Sequence, residues 1–419
     1  MKICLVTAFP PSRRLLNEYG FHLARELRRH PLVSLTILAD ELETPEPELD
    51  GFDVVRCWQL NRLFNQKKIL SALRETRPDI VWFNLLFSTF GNGHNPLAAF
   101  SGMTLPALTR AAGFCTHVTL HHLMDHVDLA DAGIRHERLY RLAGALATHM
   151  VLRANSVSVL LPAFRHTLMT KYGGENVHFR AHGILSGRPE PPDFSHRGNP
   201  EQRILVFGKW GTYKRLELML EAFAEIVTRA PNSRLIVAGG DHPMAPGYID
   251  SLRAVCRDPR IQFTGYVAET AVPELFRSAS VLVMPYSSAT GASGVAHLAC
   301  EYGLPIVCSD LADFRSMAEE EDIAIDFCRL ADAKDLAGQV ARLLLDQERQ
   351  RTMAEQNFTA ALRITMPRVI LQYLRGFDLD QRRRALEPIM RFRRMPEWVP
   401  SNSVFLRAAQ AASRWSPWM

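Results

Sequence analysis

The run from Val281 to Asp310 constrains this chain most. An apolar stretch, Val281 to Met284, leads into a loop of small polar residues that closes with Gly291-Ala-Ser-Gly294, and a helical run follows, stopping at Tyr302-Gly303. A second apolar stretch, Pro305 to Cys308, comes next. Strand, loop, helix, strand in that order is a βαβ unit, which commits the chain to a parallel sheet. The loop also has a chemical reading. A glycine- and serine-rich turn feeding a helix presents unpaired N–H groups and the positive end of the helix dipole, an arrangement that suits phosphate or pyrophosphate.

The same alternation runs through most of the sequence. From Ile3 to Arg180, strand-like stretches (Ile3 to Thr7, Leu35 to Leu38, Asp79 to Phe83, Thr116 to Leu120, Ser156 to Leu161) alternate with helical ones. The proline-rich stretch from Ser186 to Gln202 lacks apolar periodicity and reads as a linker; beyond it the alternation restarts at Ile204. The expected organisation is therefore a first domain over 1–185, a linker over 186–202, a second domain over 203–350, and a closing part over 351–419. That last part is expected to contain a helix returning toward the first domain, interrupted at Met366-Pro367, and a basic aromatic tail. From Gly376 onward eight arginines face four carboxylates, a balance of +4, with Trp398, Phe405, Trp415 and Trp418 interleaved. Such a segment suits either an anionic leaflet or the protein's own surface.

At 419 residues the chain is longer than one hydrophobic core usually serves. No apolar run approaches the ~20 residues of a membrane-spanning helix. The start, Met1 to Thr7, reads as a buried strand and not as a signal peptide. Seven cysteines without CxxC spacing indicate reduced core residues in a cytoplasmic protein. A net charge of +5 permits anionic ligands without demanding nucleic acid, and no basic-aromatic recognition motif is present.

Lysine placement is the sharpest chemical signal. Phe207-Gly-Lys-Trp-Gly-Thr-Tyr-Lys-Arg215 sets Gly208 at a strand end, just before Lys209 and Lys214. Two cations beside a helix start can stabilise a leaving diphosphate as negative charge grows on it.

With these residues in view, the second half resembles the donor domain of the GT-B retaining glycosyltransferases, family 4, the glycosyl transferases group 1. The family's G-R-x4-K-G element matches Gly208, Lys209 and Lys214, with Lys for Arg, and with Arg215 for the final Gly. Its glycine-rich turn matches Gly239 and Gly240, and its F-x-G-x-V element, which brackets the nucleotide base, matches Phe263-Thr-Gly-Tyr266-Val267. The opening βαβ unit matches the family's P-S-x3-E-G element, with Thr290, Gly291, Ser293, Gly294 and Val295 at the donor. The resemblance implies an α/β GT-B fold, two Rossmann-like doubly wound domains facing each other across a cleft. It further implies a hexosyltransferase-type enzyme using a nucleoside diphosphate sugar, with no cofactor and no metal. A glycan or lipid-linked acceptor would lie in the first domain, in polysaccharide or glycolipid assembly at the inner face of a membrane.

One departure matters. The family's two glutamates, spaced E-x7-E, fall on Thr290 and Leu298, so neither carboxylate role carries over. His297 and Glu301 on the same helix are candidates to compensate. In the first domain the resemblance points to Arg13, Arg14 and Glu18 for the acceptor side, and to His121, at a strand end facing the cleft, as a catalytic residue. A competing pattern, His122-Leu-Met-Asp-His126, has the spacing of a zinc pair if helical. A non-catalytic nucleotide-binding or scaffold subunit, or a GT-B epimerase, is the alternative that the missing glutamates keep open.

Overall fold

The structure, a computed structural model, describes residues 1–393 apart from 94, 128, 130–135, 195–200, 243, 244, 289 and 290. It divides into two compact units, Met1–Leu371 and a second beginning at Gln372.

The first unit contains two parallel sheets. One is seven-stranded, with β1 (Lys2–Val6), β2 (Ser34–Asp40), β3 (Asp53–Trp58), β4 (Ile80–Leu85), β5 (Thr116–Leu120), β6 (Ser156–Val159) and β7 (Val177–Phe179) in the order β3-β2-β1-β4-β5-β6-β7. The other is six-stranded, with β8 (Arg203–Phe207), β9 (Arg234–Ala238), β10 (Ile261–Gly265), β11 (Val281–Met284), β12 (Ile306–Ser309) and β13 (Ile325–Cys328) in the order β10-β9-β8-β11-β12-β13. Most of these strands are buried along their length, as the near-continuous apolar runs require of a sheet covered on both faces.

The covering helices of the first sheet are α1 (Asn17–Arg28), α2 (Asn65–Thr76), α3 (Pro96–Met103), α4 (Leu105–Ala111), α5 (Glu137–Val151) and α6 (Pro162–Thr170). Those of the second are α7 (Leu216–Arg229), α8 (Tyr248–Val255), α9 (Val272–Arg277), α10 (Gly294–Glu301), α11 (Ala312–Glu321) and α12 (Ala333–Leu345). α13 (Gln347–Arg363) follows, and α14 (Met366–Arg393) runs across the boundary into the second unit. This is the GT-B architecture of two doubly wound α/β domains.

Strand order positions the site. In each sheet the direction of strand addition reverses beside the first strand, at β1/β4 and at β8/β11, and ligands in such sheets sit beyond the carboxyl ends at that reversal. β8 and β11 are hydrogen-bonded neighbours, so the Lys209 loop and the loop ending in Ser293 leave the sheet side by side. β4 pairs with both β1 and β5, which brings Thr7, Asn84 and His121 together.

One conditional pattern is resolved and one sequence expectation needs correction. The segment from His122 to His126 is irregular at its start and turn from Met124 on, not helix, so its imidazoles do not share a helix face. His122 lies against Phe87 at 5.4 Å, while His126 bonds Asp313 at 3.1 Å and Thr167 at 3.0 Å. Second, the part from 378 onward, read as tail, continues as helix to Arg393; the remainder of the 376–419 segment lies outside the described residues. Within the second unit, Tyr373 and Phe377 pack at 6.1 Å and Arg382 pairs with Asp378 at 3.0 Å.

The Met366-Pro367 break is real: α13 ends at Arg363 and α14 starts at Met366. Between them, Thr365 forms a parallel bridge to Ile184, so the chain comes back to the end of its first half after completing the second.

Candidate active site

The cationic side is built from the end of β8. Gly208, at φ +144°, donates to the carbonyl of Ala238 at 3.1 Å. Trp210 is buried, its N–H bonding Gly240 at 2.9 Å and its indole nitrogen bonding Ala238 at 3.0 Å, so the loop is pinned to the Gly239-Gly240 turn. A single helical turn, Thr212–Lys214, then puts Lys214 back over the strand end. A Cβ on Gly208 would stand 2.2 Å from the Lys214 ammonium nitrogen, so only glycine leaves room for that side chain.

Lys214 is half-buried and Lys209 exposed. Burial, and after it the charge of Lys209, brings the Lys214 ammonium down to about 8. The Lys214 nitrogen sits 5.3 Å from the ring centre of Tyr286, a buried side chain that packs edge-on to Tyr213 at 5.6 Å. Both lysines also depress His242, after burial. His242 follows Gly239-Gly240-Asp241 and was not singled out from the sequence; its place two residues past a glycine turn was the available signal.

The helix start lies at the end of the neighbouring strand. Ser293 is the N-cap of α10, its hydroxyl accepting from Ala296 N–H at 3.2 Å. The amides of Gly294 and Val295 belong to the first turn, whose N–H groups have no partner within the helix. His297 is fully enclosed: its Nδ1 bonds the Ser293 carbonyl and its Nε2 bonds Glu321, both at 2.7 Å. Burial opposes charge on this imidazole, but the Glu321 carboxylate and the Ser293 carbonyl outweigh it and raise the pKa. With both nitrogens engaged, His297 has no ring nitrogen left to stand in for a carboxylate at Leu298. Glu301 is buried near Ser186 and pushed up to about 7, chiefly by burial. Among the described residues its Oε2 has no hydrogen-bond partner.

The first half meets this helix start directly. A Cβ on Gly291, at φ +144°, would lie 2.4 Å from the His121 carbonyl oxygen, and one on Gly294 would lie 3.7 Å from the His182 ring. His182 stacks on His297 at 5.0 Å and bonds the Gly183 carbonyl through Nδ1, while Tyr19 donates to the His182 carbonyl at 2.9 Å. His121 is buried, with Nε2 2.6 Å from the Asn84 side-chain oxygen and its ring edge-on to Tyr19 at 4.8 Å. Asn84 donates in turn to Thr7 at 3.0 Å. Since Asn84 presents an acceptor, His121 carries its proton on Nε2, and burial with the neighbouring imidazoles keeps it neutral well below its ordinary range.

The remaining predicted residues divide. Glu18, on the first turn of α1, has its pKa raised by desolvation and then by Glu269, against the pull of Lys209. Arg13 is exposed. Arg14 is engaged, pairing with Asp40 and Glu43 at 3.1 Å each, and Asp40 also holds Phe9 N–H and the Ser12 hydroxyl, so Arg14 helps set the loop after β1. Tyr266 is 86% exposed and Val267 half-buried after β10. Thr290 lies outside the described residues. Among the described residues no group of three metal-ligating side chains occurs.

Comparison with known proteins gives a family match over part of the chain and a fold likeness over most of it. Residues 201–346 match the family model described as glycosyl transferases group 1. Over 218 residues the chain is 26% identical to alpha-D-kanosaminyltransferase of Streptomyces kanamyceticus, a match that takes in 49% of this chain and 55% of that one. The chain thus spans about half the length of that relative. Among solved structures, sucrose-phosphate synthase from Thermosynechococcus elongatus superimposes with a TM-score of 0.71 at 16% identity, covering 90% of this chain and 98% of that one. Anabaena HepE in complex with UDP and glucose gives 0.66 at 15% identity, covering 90% and 99%. At such identities the likeness shows the fold.

Proposed function

We propose that this chain is a retaining glycosyltransferase that moves a sugar from a nucleoside diphosphate sugar to a glycan or lipid-linked acceptor. The observation that carries the reading is that the loop of Lys209 and Lys214 leaves β8 while the start of α10 follows its hydrogen-bonded neighbour β11, with Lys214 within the field of Lys209. When the bond from the sugar to the diphosphate breaks, charge develops on the leaving oxygen. Two ammonium groups and oriented backbone amides are placed to neutralise it. No metal is needed for that role. The match to the glycosyl transferases group 1 model covers the part of the chain that contains these groups, and HepE, similar in fold, was solved in complex with UDP.

In this reading the first half holds the acceptor. Glu18 and Arg13, on the stretch that follows β1, would face the acceptor, and neutral His121, with Nε2–H spent on Asn84, would offer Nδ1 to a sugar hydroxyl. Retention of configuration and assignment to family 4 rest on the motif resemblance; a role in polysaccharide or glycolipid assembly, with the basic 376–419 segment against an anionic leaflet, extends the same reading. Leu298, which cannot accept a hydrogen bond from a ribose, supports the second reading of a nucleotide-binding subunit without catalysis.

A panel of UDP-, GDP- and ADP-sugars, assayed for nucleotide release with and without candidate acceptors, separates the two. Acceptor-dependent release that Lys214→Ala abolishes supports the transferase. Tight nucleotide binding with no release for any donor would leave the binding subunit.

A further inference from the structure

α5 turns an apolar stripe to solvent. Gly144, Ala147, Thr148 and Val151 are buried against the domain, whereas Leu139, Leu142, Leu146 and Met150 are 63%, 60%, 47% and 36% exposed. Steps of three and four put these residues on one helix face. Neighbouring elements carry further exposed apolar side chains. α3 packs on α5 and carries Leu97, 69% exposed, and Phe64, 71% exposed, precedes α2, whose Gln66 bonds Ser101 of α3. An exposed row of large apolar side chains along one helix face, as on α5, calls for a partner that covers it.

Charge selects the occupant. Arg138, Arg141 and Arg153 lie on or just after α5 and Arg110 on the neighbouring α4, while Glu137 is the one acid between Glu137 and Arg153. The guanidinium of Arg141 bonds the carbonyls of Met124 and Val127, and that of Arg110 bonds those of Arg153 and Ala154, so both are anchored without being neutralised. We propose that this face of the first half rests on an anionic lipid bilayer, with the leucines entering the acyl boundary and the arginines at headgroup level. A second copy of the chain fits less well, because a two-fold pairing of the same surface would bring the same cations together. The proposal does not depend on the transferase reading, and its surface is separate in sequence from the basic 376–419 segment.

The test uses the full chain and co-sedimentation with phosphatidylcholine vesicles, with and without phosphatidylglycerol. Wild type is expected to partition onto the anionic vesicles in a salt-sensitive way. Leu142→Glu/Leu146→Glu, at exposed positions, is expected to lower that partition by about tenfold or more while keeping the wild-type circular dichroism and melting temperature. Arg138→Ala/Arg153→Ala should weaken binding to the anionic vesicles only. Wild type remaining in the supernatant with the anionic vesicles would overturn the proposal. So would full binding by the glutamate variant, which would assign any membrane contact to another segment. A dimer in sedimentation velocity that the glutamate variant converts to monomer would also overturn it, by showing that a second copy covers the face.

Discussion

The ammonium nitrogen of Lys214 occupies the space that a side chain on Gly208 would need, within 2.2 Å of where a Cβ would stand. Gly208→Ala is therefore expected to expel Lys214 from its place, in addition to straining a backbone at φ +144°. Affinity for a nucleoside diphosphate should fall about tenfold or more, with a stability loss of about 1–3 kcal/mol. Calorimetric titration with UDP and GDP, beside thermal melting, measures both.

Lys214 itself should trade stability against binding. Its folded pKa, about 8, is below the ordinary lysine value of 10.5, so the fold favours the neutral amine. The sign follows: the stability contribution is present above 10.5 and is lost as pH falls through 8, so the wild type should gain stability between those values. Lys214→Met should flatten that rise and stabilise the protein at neutral pH by at most about 3 kcal/mol. The same variant should lose roughly ten- to a hundredfold in diphosphate affinity, the worth of a charge-assisted contact. Melting curves across that pH range would refute the argument if the variant kept the wild-type slope.

His297 and Glu321 form an enclosed pair with exposures of 1% and 3%. Its stabilisation is complete below the ordinary imidazole value of 6.5 and is lost as pH rises through the raised folded pKa. Glu321→Ala strands a buried imidazolium and is expected to cost about 3–5 kcal/mol at pH 6, with less loss at higher pH where the imidazole is neutral. Denaturant unfolding of the variant at both pH values gives the comparison.

Gly291→Ala places a methyl group 2.4 Å from the carbonyl oxygen of His121. The loop must withdraw from the first half, so transfer should slow by about tenfold or more while the separate sheets stay intact. Turnover measured beside unchanged circular dichroism reports it; an unaltered rate would mean that the contact is dispensable.

The architecture was legible because parallel sheets are built from local repeats, and Val281 to Asp310 contains every signal of one βαβ unit. The Ser293 cap and the Gly208-Lys209-Lys214 spacing could likewise be read from neighbours in sequence. Contacts between distant parts of the chain could not. Tyr19 to His182, His182 to His297, and Asn84 to His121 join residues far apart in the chain, and no periodicity encodes such pairs. The His122 to His126 spacing has a related limit, since it suits a metal only if the segment is helical, and here it is not. Arg14 looked free for a ligand because its partner Asp40 ends a different strand.

The His297–Glu321 pair has a reach beyond its own burial. Glu321 orients the imidazole, the imidazole holds the Ser293 carbonyl, and that carbonyl helps fix the attitude of the amides at Gly294 and Val295. A lesion deep in α11, remote from every group that touches a ligand, would then surface in a genetic screen disguised as a defect in recognising nucleotide.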